Sequence, residues 1–132
     1  NLEHMISDKA YYSPTSDKIH LPLLEQFKNV NEYYSTAFHE ATHSTMTKDR
    51  CDRKQEIKLL EFGGEDYSKE ELVAEMGSAF IMNSLGLETA GTFKNSTAYI
   101  QSWIKVLRND VKFIVSASSK AEKAVRYILN EK

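Results

Sequence analysis

Apolar and polar positions follow two rhythms along the chain. Near the N-terminus the pattern is that of short strands: Ala10-Tyr11-Tyr12, then the turn-rich cluster Ser13-Pro14-Thr15-Ser16-Asp17, then Lys18-Ile19-His20-Leu21, stopped by Pro22. This predicts a β-hairpin. Leu23 to Phe27 reads as a short apolar helix or turn. From about Asn31 to Thr47 the period becomes helical, with Tyr34, Phe38, Ala41 and Thr45 as the apolar stripe. Asn29-Val30-Asn31 offers a polar cap, and Glu32 suits the first turn.

The next stretch, Lys48 to Tyr67, is charged and broken by Gly63-Gly64, with one apolar cluster at Ile57, Leu59, Leu60 and Phe62. It reads as a long loop with room for one helical turn. Such loops are uncommon in compact domains and often functional, and this one follows the first helix directly. A second helix runs from Ser68 to about Leu85 and ends near Gly86, with Leu72, Met76, Ala79, Phe80 and Asn83 inward and Val73 on the edge. Thr92 to Arg108 carries Tyr99, Ile100, Trp103, Ile104 and Leu107 at helical spacing; Asp110 to Asn130 carries Phe113, Ile114, Ala117, Ala121, Ala124, Val125 and Ile128. Asn109-Asp110 breaks and caps between them. The expectation is one α+β domain over residues 1–132: a small N-terminal hairpin or sheet, then a bundle of about four helices.

Composition narrows this picture. The 132 residues suit a single domain, and 41% hydrophobic with 27% charged residues reads as globular. The net charge of −2 argues against strong non-specific nucleic-acid binding. No run of about 18 apolar residues exists to form a membrane helix. Cys51 is the single cysteine, has no ligand-spaced partner, and reads as incidental; its solitude fits a reducing, cytoplasmic location. Asn1 to Met5 lack the features of a signal peptide and read in part as an added tail, so the chain is expected to be a piece of something longer.

The chemistry centres on His39-Glu40-Ala41-Thr42-His43, an HExxH pattern inside the first long helix. Residues four apart share a helix face, so the two imidazoles can converge on one zinc ion. Glu40 lies about 100° round the helix, placed to take a proton from a water without binding the metal itself. The bland alternative is two surface histidines. Both, however, lie off the apolar stripe, and acids follow downstream. Glu71 and Glu75 are four apart and share a face. Ser68 with Glu71 also spells a capping box, which would compete for Glu71. His20 could approach the site, though a strand-surface histidine is the simpler reading. Tyr67 or Tyr99 could reach the cleft and steady an oxyanion, against a plain packing role. A strand edge near the active-site helix could pair with an extended substrate.

The spacing resembles that of the Glu-zincin peptidases, whose HExxH is completed by E-x-x-x-D on a following helix. The resemblance implies Glu71 as third zinc ligand and Glu75 as support for a ligand histidine; Glu75, then Glu70, are the alternatives for the third ligand. Four segments resemble more closely the zincin-like metallopeptidase domain of the ArdC antirestriction family. They are Asp17-Lys18-Ile19-His20-Leu21-Pro22; Tyr33 to His43; Glu70 to Phe80; and Ala98-Tyr99-Ile100-Gln101-Ser102-Trp103-Ile104. The chain departs at Ser44-Thr45-Met46, where that family usually has Trp-Thr-Gly. The resemblance implies a C-terminal peptidase-like domain of an antirestriction protein carried on plasmids, phages and other mobile elements. The parent would bind single-stranded DNA through a separate N-terminal domain.

The expected activity is hydrolysis of a protein or peptide substrate, with one Zn²⁺ held by His39, His43 and Glu71 and with Glu40 as general base. The alternative is a zinc-binding, non-proteolytic module that protects DNA or contacts a host defence protein.

Overall fold

The hairpin forms where the turn residues place it. Strands β2 (Tyr11–Ser13) and β3 (Lys18–Leu21) pair antiparallel, with Tyr12 opposite Ile19. The expected tail is not an appendage. Leu2–His4 forms β1, which pairs parallel with β3, so among the described residues β3 lies between β1 and β2. The computed structural model describes residues 1–53 and 64–131. After a 3₁₀ turn at Leu24–Gln26 the described residues form the helices α1 (Val30–Ser44), α2 (Glu65–Ser84), α3 (Ala90–Val106) and α4 (Val111–Ile128). The result is the expected α+β architecture. Among the described residues, no helix is long and apolar enough to cross a membrane.

Helix ends follow local chemistry. The Asn29 side chain accepts from Glu32 N–H, and the Asp110 side chain from Lys112 N–H, each satisfying an orphan first-turn donor. Gly86 closes α2 at φ +69, a conformation that favours glycine. The start of α2 differs from expectation. It begins at Glu65, after Gly64, because Glu65 and Asp66 suit the positive end of a helix. Ser68 is therefore inside the helix, and its hydroxyl donates to Gly64 C=O. The capping box with Glu71 does not form, and Glu71 is available for other work.

Helix α2 packs on α1, α3 and α4. A helix covered on several sides has no single apolar stripe. Its buried residues accordingly include Leu72, Val73, Ala74, Met76, Gly77, Ser78, Ile81 and Met82, whereas Phe80 is 39% exposed and Asn83 is exposed. Val73, expected on the edge, is in the core. The main cluster joins Leu72, Val73 and Met76 to Leu107, Ala117 and Ala121.

Helix α1 also departs from its expected stripe. Its buried residues are Glu40, Thr42 and His43; of the expected stripe Thr45, at the C-cap, is buried, whereas Tyr34 is exposed and Phe38 and Ala41 are only partly covered. The reason is a close approach to α2 at Gly77, where a Cβ would lie 2.6 Å from Thr42 Oγ1. That approach turns the polar face of α1 inward.

Beyond α1, residues 45–53 form a compact turn, with Cys51 N–H donating to Thr45 C=O and Arg53 N–H to Met46 C=O. Cys51 is buried against α4 and is therefore part of the packing rather than incidental. The apolar cluster Ile57, Leu59, Leu60, Phe62 and the expected helical turn fall outside the described residues.

Candidate metal centre

Helices α1 and α2 face each other through the HExxH residues and the first turns of α2. The Nε2 atoms of His39 and His43 are 3.2 Å apart. Between them comes the Glu71 carboxylate, with Oε2 3.2 Å from His39 Nε2 and Oε1 3.1 Å from His43 Nε2. One atom from each of the three lies within 4.8 Å of the others.

The opposite ring nitrogens are held from behind. His39 Nδ1–H donates to Glu75 Oε1 at 3.1 Å, and His43 Nδ1–H donates to Glu70 Oε2 at 2.8 Å. A neutral imidazole carries one ring proton. With that proton on Nδ1, both Nε2 lone pairs and an anionic carboxylate point at one spot. In that neutral form the two lone pairs and the carboxylate are matched by a cation, which in the metal-free chain is supplied by protons on the rings. Two nitrogens and a carboxylate suit a divalent metal, with carboxylates orienting the imidazoles.

Charge at the site reflects the same deficit. Burial pulls His39 down, but Glu71 and Glu75 more than offset it and hold the imidazole up at about 10. Burial is likewise outweighed at His43, which Glu70 and Glu71 raise to about 9. Burial would lift Glu71, yet the two histidines bring it well below the usual carboxylate range. Glu40 is raised, chiefly by burial, with the two histidines opposing. It lines the same cavity of about 390 Å³ as His39, His43, Glu71, Tyr11, Tyr12 and Met46.

The two tyrosines line different cavities, Tyr67 this one and Tyr99 another. Tyr67 stands edge-on to Trp103 and also bonds Glu71 through its hydroxyl; its pKa is pushed up to about 12 by burial and by the Glu71 charge. Tyr99 is not core: it is 58% exposed and lines a second cavity beside His39, Glu40 and Glu75. His20 is 5% exposed rather than on the surface. It is stacked on Tyr11 at 4.9 Å, with Glu3 3.4 Å from its Nδ1, and it does not line the cleft.

Two arginines are absent from the sequence-based site. Arg53, 3% exposed, bonds Glu70 through Nε (2.8 Å) and Nη2 (3.1 Å), and also Thr45 Oγ1 and Thr42 C=O. Glu70 is thus the support of His43 rather than a ligand candidate. Arg50 grips Asp17 with both terminal nitrogens, at 2.7 and 2.8 Å, and donates to Ser44 C=O. Tyr12 O–H joins at Asp17, so the hairpin wall of the cleft is tied to the end of α1. Asp17 stands in the D-x-I-x-x-P segment, which was a signal; nothing local marks Arg53.

Known proteins carry the same domain. A DNA primase TraC of Escherichia coli is 40% identical over 129 residues, which is 97% of this chain and 12% of that protein. The uncharacterized protein y4eC of Sinorhizobium fredii is 34% identical over 114 residues, 86% of this chain and 36% of its own. Crystal structures of antirestriction protein ArdC from plasmid R388 superpose in a Mn(II)-bound form (TM-score 0.71, 34% identity) and a metal-free form (0.75, 35%). They cover 99% of this chain and 46% of theirs, so the chain spans less than half the length of each of these relatives. The Mn(II) in one of them agrees with a divalent metal here. Residues 1–120 match the family described as zincin-like metallopeptidase, and this chain belongs to that family.

Proposed function

We propose that this domain is a zinc peptidase, one domain of a longer cytoplasmic antirestriction protein of a mobile element, acting on a protein or peptide. The observation that carries the reading is the convergence of His39 Nε2, His43 Nε2 and Glu71 on one spot, with the buried Glu40 beside it in an open cleft.

His39, His43 and Glu71 would hold the metal, and Glu75 and Glu70 fix the two imidazoles with Nδ1 protonated. When bound, zinc supplies a Lewis acid that polarises the scissile carbonyl and lowers the pKa of a water towards about 7. Glu40 takes the proton of that water on its carboxylate and returns it to the leaving amine. In the metal-free chain burial raises its pKa, against the opposing pull of the two histidines. Tyr67 keeps its proton at neutral pH and steadies Glu71. Tyr99 lines the other cavity, and in this reading its hydroxyl would meet a developing oxyanion. Strand β2, at an edge of the sheet, offers its backbone to an extended substrate.

The test is Glu40→Gln. The variant is expected to keep one zinc and to lose cleavage of a peptide library by at least 100-fold, in line with the effect of about 10²–10⁴ for general-base catalysis. Unchanged cleavage with zinc in place would reject the mechanism. Absence of cleavage by the zinc-loaded parent would favour the non-proteolytic module.

A further inference from the structure

The cleft has a second arm. A cavity of about 340 Å³ shares Ala10, His39 and Glu40 with the first and continues along α1 towards its N-terminus. The two arms differ in chemistry. The first is walled by Tyr11, Tyr12, Pro14 and Met46. The second is walled by Glu32 and Thr36 from α1, Glu75 from α2, and Asn95, Ser96 and Tyr99 from α3; no lysine or arginine is among the described residues that line it.

Two independent features point to a ligand there. Ser96 is 9% exposed and lines the cavity, and its hydroxyl, which is open to that cavity rather than enclosed, makes no hydrogen bond to the described residues. Glu32 stands seven residues before His39, two turns up the same helix and about 10 Å along its axis. Asn95 Nδ2 donates to Glu32 Oε1 at 3.3 Å and holds the carboxylate across the far end. Glu75 is already engaged by His39, and Glu32 has no cationic partner among the described residues.

We propose that this polar arm is a subsite for a lysine or arginine side chain of the substrate, with Glu32 as the specificity-determining carboxylate. The proposal rests on the peptidase reading for its substrate class. An ammonium has three donors and no acceptor, which matches a carboxylate flanked by the Ser96 hydroxyl and the Asn95 amide oxygen. An extended peptide advances about 3.4 Å per residue, so a long side chain one or two residues from the scissile bond reaches Glu32. The other arm accepts an uncharged, apolar residue across the bond.

The test uses zinc-loaded Glu40→Gln, which holds peptides without turning them over. Fluorescent peptides share an apolar residue on one side and carry Lys, Arg, Gln or Glu at each nearby position on the other. At one position, Lys and Arg are expected to bind at least tenfold tighter than Glu. Adding Glu32→Gln is expected to shrink that ratio below threefold, and Asn95→Asp to raise it. Equal affinities, a ratio unmoved by Glu32→Gln, or no binding by any peptide would overturn the subsite. Cleavage by the parent separates the two ideas. Cleavage with no basic preference rejects the subsite alone; lysine-selective binding without cleavage rejects the peptidase reading alone.

Discussion

Arg53 holds Glu70 through two nitrogens, Nε at 2.8 Å and Nη2 at 3.1 Å, in a pocket where both side chains are almost wholly buried. Glu70 passes the constraint to His43 Nδ1 at 2.8 Å. The turn after α1 thus reaches the His43 imidazole through one carboxylate. The same turn carries Arg50, which ties down the hairpin at Asp17. One short segment therefore sets both the orientation of His43 and the position of the cleft wall.

Arg53→Met is expected to destabilise the metal-free protein by about 3–5 kcal/mol, because it leaves the buried Glu70 charge without its partner. Urea unfolding in the presence of a chelator measures this. Glu70→Gln removes the charge but keeps the shape, and is expected to weaken metal affinity about 10–100-fold. Competition with a chromogenic chelator reads that change, and an unaltered affinity would contradict the support assigned to Glu70.

Gly77→Ala decides between two opposed effects. Replacing glycine inside a helix ordinarily gains about 1 kcal/mol. Here the added Cβ would lie 2.6 and 2.7 Å from Thr42 Oγ1 and Cγ2, and overpacking costs about 1–3 kcal/mol. The clash wins, so a lower melting temperature is expected. Adding Thr42→Ala should recover part of the loss; simple additivity of the two changes would argue against the contact.

Between about pH 6 and pH 9.5, lower pH should favour the metal-free fold; in stronger acid the depressed Glu70 and Glu71 reverse the trend. His39 and His43 stand above the ordinary 6.5, at about 10 and about 9. The folded chain therefore holds protons there more tightly than the unfolded chain. That stabilisation is fully present below pH 6.5 and is lost as pH rises through about 9 to 10. Metal binding shows the opposite trend, since protons compete for the same nitrogens. Urea midpoints with chelator, taken at pH 6 and pH 9.5, should fall with pH, while zinc affinity should rise.

Much of this was legible in the residues themselves. The Ser13–Asp17 turn cluster gave the hairpin, Asn29 and Asp110 gave two helix starts, and the spacing of His39, His43, Glu71 and Glu75 brought four side chains to one place. What failed depended on neighbours. The buried faces of α1 and α2 are set by the Gly77–Thr42 approach and by the helices surrounding α2, neither of which leaves a periodic signal. β1 needs a partner seventeen residues away, Leu2 with Ile19, and its three residues carry no pattern of their own. Arg53 reads as one more charge in a polar run, because only the fold brings it to Glu70.

The most direct measurement is the zinc content, by elemental analysis, of the parent, His39→Ala, Glu71→Ala and Glu75→Ala after equilibration with zinc and removal of the excess. One zinc per chain in the parent, none with His39→Ala or Glu71→Ala, and weakened but detectable binding with Glu75→Ala is the expected result. No zinc in the parent, or full zinc with Glu71→Ala, would contradict the centre built on His39, His43 and Glu71.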